Sequence, residues 1–189
     1  MKKIFSTIAI FALSASIYAQ SSWKADPAHS NVAFTVVHTG ISDVSGIFKK
    51  FDLSLSSNSK DLSDAKINFS IDVNSIDTFV EARNNHLKSA DFFDAQQYGE
   101  MVFNSTSIKK LKDNTFALKG NLTMHGVTKP VSMTMVYRGD LVNPETKEVT
   151  KGLQVFGTLK KSDWGIGSKF PQSLISDEVR IKADFEIKK

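Results

Sequence analysis

Apolar residues recur at every second position along most of this chain, the period of strands with one buried and one wet face. Val32, Phe34 and Val36 share one face of a first segment. Phe51, Leu53 and Leu55 alternate with Asp52, Ser54 and Ser56, and Ile67, Phe69, Ile71 and Val73 alternate with Lys66, Asn68, Ser70 and Asp72. Met101 and Phe103 mark another strand, and Phe116, Leu118, Gly120 and Leu122 the next. Val131, Met133, Met135 and Tyr137 form one more, followed by Leu153, Val155 and Leu159. The last is the clearest: Val179, Ile181, Ala183, Phe185 and Ile187 stand against Arg180, Lys182, Asp184 and Glu186. Turn-forming pairs separate these runs at Asn58-Ser59, Asp113-Asn114, His125-Gly126 and Asn143-Pro144.

One stretch breaks the period. Thr78 is placed to cap a short helix carrying Val80, Arg83, Asn84 and Leu87, and Asp91 to cap a second turn through Phe92, Phe93 and Ala95. The pattern therefore predicts an all-β fold, a barrel or a sandwich of about eight antiparallel strands with one short helical insertion near residues 78–97. Closure into a barrel removes exposed sheet edges. A barrel of that size is either filled by its own side chains or holds one small ligand, and alternation does not choose between them.

The first residues set an expectation about compartment. Lys2 and Lys3 precede an apolar run from Ile4 to Leu13 and the small residues Ser14, Ala15 and Ser16, with Ala19 before a cut. That run is shorter than the roughly 20 residues of a spanning helix, so residues 1–19 read as a cleaved signal peptide and 20–189 as one exported domain, periplasmic or secreted, with no integral membrane segment. The cut removes two lysines, taking the formal charge from +4 to +2. Lysines are interspersed with acids, and no basic stripe with stacked aromatics suggests nucleic acid. The absence of cysteine excludes disulfides, thiolate metal sites, cysteine nucleophiles and lipoprotein acylation.

Catalytic chemistry finds little footing. His29, His38, His86 and His125 show no metal-ligand spacing, and read as turn or mouth histidines. Ser30 adjoins His29, but there is no G-x-S-x-G elbow. Gly165-Ile166-Gly167-Ser168-Lys169 reads as a turn or bulge before an anion nest. Neither a cofactor nor a metal is expected, and no enzymatic activity. The pair Phe92-Phe93 beside Arg83 and His86 reads either as a plug for one barrel end or as the mouth of a cavity.

Longer motifs carry a resemblance. Trp23-Lys24-Ala25-Asp26-Pro27-Ala28-His29-Ser30, with Phe34, His38 and Gly46-Ile47-Phe48 behind it, resembles the opening of the YceI-like, lipid/polyisoprenoid-binding family. Ile76-Asp77-Thr78, Arg83-Asn84-Asn85-His86-Leu87 and Asp91-Phe92-Phe93-Asp94 are similar to its central signature. The run from Gly120 to Val131 and Ser162-Asp163-Trp164-Gly165-Ile166-Gly167 resemble two later ones. The chain departs from the family pattern at Asn84, where an Asp is frequent, at Gly99 (Pro) and at Trp164 (Phe). The loss of charge at Asn84 bears on a contact near Arg83.

The resemblance implies an extended, lipocalin-like barrel that encloses an isoprenoid chain, as a carrier or store for a polyisoprenoid or isoprenoid quinone. The competing readings are an enzyme acting on such a lipid and a filled barrel that binds a protein partner. Assembly is left open between a monomer and a homodimer. The expected ligand contacts are the inward apolar positions near the helical segment: Phe34, Val36, Phe69, Ile71, Phe92, Phe93, Phe103, Met133, Met135 and Trp164. Arg83 and His86 are the expected headgroup residues.

Overall fold

The computed structural model describes residues 21–189. The expected signal peptide, residues 1–19, lies outside the described residues. Period two becomes strand in each run read above, except that Val73 at the end of one run begins a 3-10 turn. The elements are β1 (Ser21–Ala25), β2 (Asn31–His38), β3 (Ser42–Phe48), β4 (Phe51–Ser57), β5 (Lys66–Asp72), β6 (Ile76–Asp77), α1 (Glu81–Lys88), β7 (Glu100–Lys112), β8 (Thr115–Met124), β9 (Val127–Val142), β10 (Val149–Lys160) and β11 (Ile175–Lys188).

These strands close into an antiparallel barrel with eight strand positions. Two positions are shared. β1 and β2 run one after the other along β11, with Ala25 opposite Ile187 and Asn31 opposite Asp184. Residues 26–30 loop out between them. β3 and β4, separated by Lys49 and Lys50, face β2 and β1 in turn. From β4 the order runs β5, β7, β8, β9, β10 and β11, and β11 meets β1 to complete the ring. Two-residue β6 adds to the outer edge of β3 and delivers the chain to α1.

The turns follow the local chemistry. His125 and Gly126 both have positive φ, 50° and 73°, which is the type I′ geometry that joins β8 to β9 with two residues. Asp113 turns with φ 46° between β7 and β8. The segment at 165–169 is a turn, with Gly165 and Gly167 at φ 69° and 63°. No helix among the described residues is long and apolar enough to cross a membrane.

The helical insertion is smaller than expected, and its cap differs. α1 spans eight residues, its N-cap is Val80 with no side-chain hydrogen bond, and the Asp91 region is made of turns. Thr78 instead bonds forward into the helix: its N–H and hydroxyl donate to Asn84 Oδ1 at 2.7 and 2.6 Å. Glu81 in the first turn and His86 and Lys88 in the last complement the helix dipole. Leu87 is the only large apolar residue in α1, so polar tethers rather than burial hold the helix in place.

The two barrel ends differ. One end is packed solid: Trp23, Leu55, Leu62, Phe116, Met135 and Ile187 are almost free of solvent contact. Lys151 closes it. Its ammonium donates to Asp140 Oδ1 at 2.7 Å and to the Lys60 carbonyl at 3.2 Å, and stands 5.0 Å from the Trp23 ring centre. The other end carries the β2–β3 hairpin, α1, the β8–β9 turn and the β10–β11 connection.

Candidate functional site

Between the solid end and α1 the barrel is hollow, with a cavity of about 470 Å³. That volume falls in the range of roughly 300–1,000 Å³ typical of small-molecule sites. Its walls are the inward faces of the strands. Val32, Phe34 and Val36 come from β2, Ile67, Phe69 and Ile71 from β5, Leu118 and Leu122 from β8, and Leu153, Val155 and Leu159 from β10. β11 contributes Val179, Ile181, Ala183 and Phe185. Phe51, Phe69 and Phe185 pack as tilted and edge-on pairs 5.5 to 6.2 Å apart, a preferred aromatic geometry that stiffens one side of the wall.

α1 and the loop after it form the mouth. The Phe92 and Phe170 rings stack at 4.9 Å, and His86 meets both edge-on at 5.0 and 5.6 Å. Phe93 leans on Phe48 at 6.2 Å. His86 and His38 are exposed and also border the cavity, so the hollow reaches the surface here.

A polar network fixes the helix at this rim. Arg83 donates from Nε to the Thr78 hydroxyl at 2.9 Å and from Nη2 to the Thr78 carbonyl at 2.7 Å. Asn84 Nδ2 donates to Asp77 Oδ1 at 3.2 Å, a bond that an aspartate in its place would not make. The Phe79 N–H, Asn84 and Lys49 hold the Asp77 carboxyl below its ordinary range. His86 Nε2 lies 3.6 Å from Asp91 Oδ2. Asp91 also pairs with Lys169, which together with His86 keeps its carboxyl below the usual value.

Ten of the twelve residues expected at the site border the cavity: Phe34, Val36, Phe69, Ile71, Arg83, His86, Phe92, Phe93, Phe103 and Met133. Two do not. Met135 faces inward as its alternation requires, but it lies one pair further down β9, in the solid end, with no solvent exposure. Trp164 is buried beside β8, where its indole N–H donates to the Leu122 carbonyl at 3.3 Å, outside the cavity wall. Alternation reports facing, whereas depth along the barrel is set by where packing ends.

A model of the "YceI-like domain" matches residues 23–187. The chain belongs to the YceI-like family. A "UPF0312 protein" of Staphylococcus aureus is 33% identical over 84% of this chain and 89% of its own length. One of Vibrio campbellii is 37% identical over a stretch that spans 59% of each chain. The crystal structure of Burkholderia cenocepacia BcnA superposes with a TM-score of 0.78 at 23% identity, covering 87% of this chain and 99% of that one. A polyisoprenoid binding domain from Saccharophagus degradans superposes with a TM-score of 0.66 at 16% identity, covering 88% and 97%. At these identities the two structures attest the YceI-like fold.

Sequence reasoning left out much of the wall of this YceI-like site, including Ile67, Leu118, Phe170 and Phe185, and one charged residue. Lys161, the first residue after the mouth end of β10, is 8% exposed and borders the cavity. The signal was present: Leu153, Val155 and Leu159 face inward, and the same alternation carries Lys161 inward too. At the barrel's side, away from this site, Asp26, His29 and Glu186 gather on the surface. There Asp26 accepts from Lys188 Nζ at 2.7 Å and from His29 at 3.1 Å, bonds that hold its carboxyl well below the usual range.

Proposed function

We propose that this protein is an exported carrier or store that holds the isoprenoid chain of a single lipid inside its barrel and does not transform it. The observation that carries the reading is the cavity of about 470 Å³, walled by aliphatic and phenylalanine side chains and open beside the Arg83–His86 helix. An apolar tail placed there gains roughly 25 cal/mol per Å² removed from water. Ordering a flexible chain offsets part of that gain, so affinity follows tail length and shape. Membership of the YceI-like family and the fold shared with a polyisoprenoid binding domain support an isoprenoid as that tail. Export rests on the basic, apolar and small-residue order of positions 2–19.

A catalytic reading draws on the His86–Asp91 pair, a histidine with an acid at 3.6 Å. Asp91 is shared with Lys169, and the neighbours of the His86 ring are Phe92 and Phe170, so the arrangement offers no group for His86 to activate. The test is direct. Organic extraction of the purified protein is expected to release about one prenyl lipid per chain by mass spectrometry, and a prenyl lipid incubated with stripped protein is expected to return unchanged. Failure to take up any prenyl compound overturns the carrier reading, and recovery of a modified lipid overturns the non-catalytic one.

A further inference from the structure

Holding a hydrocarbon does not require Lys161. Its side chain is buried and borders the cavity, and its Nζ sits beside Gly167, against which the edge of Phe92 also packs. An ammonium that emerges on a largely apolar wall gains from any group that answers its charge. Among the described residues no carboxylate lies within ion-pair distance of this Nζ, whose near neighbours are Gly167 and the edge of Phe92. The acid that feels it is Asp177, whose oxygens accept from the Ser162 N–H at 2.9 Å and the Ser162 hydroxyl at 2.8 Å. Arg83, the other cation on the cavity wall, is also without a carboxylate: Thr78 takes two of its donors, and Nη1 is left over. The cavity is thus largely apolar and has two cations on its wall, neither bonded to a carboxylate.

We propose that Lys161 and Arg83 form an anion subsite at the cavity, so that the preferred cargo is an apolar tail ending in a phosphate or carboxylate rather than in a neutral group. This rests on the carrier reading and narrows it. A headgroup anion supplies the missing partner for Lys161 and leaves the tail in the phenylalanine-lined hollow. Charge-assisted bonds from an ammonium and a guanidinium in a low-dielectric wall are the strong kind.

The experiment measures binding of geranylgeraniol, geranylgeranyl phosphate, geranylgeranoic acid and inorganic phosphate to the lipid-stripped full chain, to Lys161→Met and to Lys161→Arg. The phosphate and the acid are expected to bind the parent about tenfold or more tighter than the alcohol. That gap is expected to close in Lys161→Met and to persist in Lys161→Arg. Equal binding of all three prenyl compounds by the parent overturns the subsite and leaves the carrier reading standing. Binding of none of them overturns both. Inorganic phosphate binding as tightly as the prenyl phosphate overturns a lipid headgroup in favour of a free anion. If Lys161→Met does not fold, the parent's ranking and Lys161→Arg decide.

Discussion

Lys151 lies near the start of β10 and Lys161 opens the 3-10 turn just after its end, roughly 30 Å away, and both are buried against the barrel interior. Their surroundings are opposite. Lys151 has a carboxylate, a phenol, a carbonyl and two aromatic faces around its ammonium. Lys161 has a hollow. The same residue type, turned inward at both places, is a structural closure at one end and an ammonium without a bonded protein partner at the other. The difference lies in what the neighbouring elements bring: the β4–β5 loop and β9 supply acceptors at the solid end, whereas α1 and the Phe92 turn bring aromatics and another cation to the mouth.

The widest expected gap is in stability. Lys151→Met removes the charge that answers Asp140 and leaves that carboxylate, 37% exposed, beside Tyr137 alone. Allowing for solvent screening of Asp140, the cost is about 2 kcal/mol, read from urea unfolding. Lys161→Met removes a charge bonded to no protein group and felt only at a distance by Asp177, so the empty protein is expected to lose little and to gain up to about 1 kcal/mol. Equal losses in the two variants would erase the distinction between the ends.

Next comes the backbone of the mouth. Gly167 has φ 63°, and a Cβ there would stand 2.9 Å from the Phe92 ring. Gly167→Ala therefore combines left-handed strain with displacement of the ring that stacks on Phe170, at about 1.5 kcal/mol. Because Phe92 borders the cavity, lipid release measured by displacement of a fluorescent probe is expected to speed up as well. A substitution at the solid end of similar cost, by contrast, is expected to leave release unchanged.

Acid separates the ends in the same way. Burial opposes the ionised form of Asp140, but the bonds from Lys151 and Tyr137 outweigh it and hold the carboxyl below its usual value. A group depressed in the folded state contributes stability above its unfolded pKa, about 4, and that contribution is lost as pH falls through the folded value. Stability should drop more steeply below about pH 4 in the parent than in Lys151→Met, where the depressing partner is gone. Lys161→Met should follow the parent's acid limb. Urea unfolding at a series of pH values checks both slopes.

Much of this contrast was legible in residue order. Alternation placed the wall residues of β2, β5, β8, β10 and β11 on the inward face, from Phe34 and Val36 to Phe185, because a half-buried strand cannot shift by one residue without exposing its whole apolar set. Depth was not legible. Met133 and Met135 carry the same signal, yet one borders the hollow and the other is packed beneath it, since that depends on partners distant in sequence. The hollow itself was an expectation drawn from family resemblance, because a filled barrel alternates identically. Thr78 was misread as a helix cap: its hydroxyl is the kind that caps, but the chain turns at Phe79 and brings Asn84 back onto it instead. Lys161 was not singled out, because a lysine just past a strand, next to Lys160, carries the same signal as a solvated one.

That turn at Phe79 yields the smallest effect and the finest test of how the mouth is built. Phe79 has φ 62° and is 77% exposed, so a bulky side chain occupies a left-handed backbone position with almost no burial in return. Its N–H donates to Asp77 Oδ1 at 2.9 Å, and glycine retains that bond. Phe79→Gly relieves the left-handed strain and loosens the unfolded chain, effects that nearly cancel and leave a gain of about 0.5 kcal/mol. The solid end has a counterpart in Leu62, also at φ 62° but with no exposure, where the side chain fills the packed core. Leu62→Gly removes that packing and is expected to be strongly destabilising despite the same relief. Thermal unfolding of the two variants should therefore move in opposite directions. A shift of Phe79→Gly downward would mean that the exposed ring supports the helix at the mouth, and that the mouth is packed more like the solid end than its solvent exposure indicates.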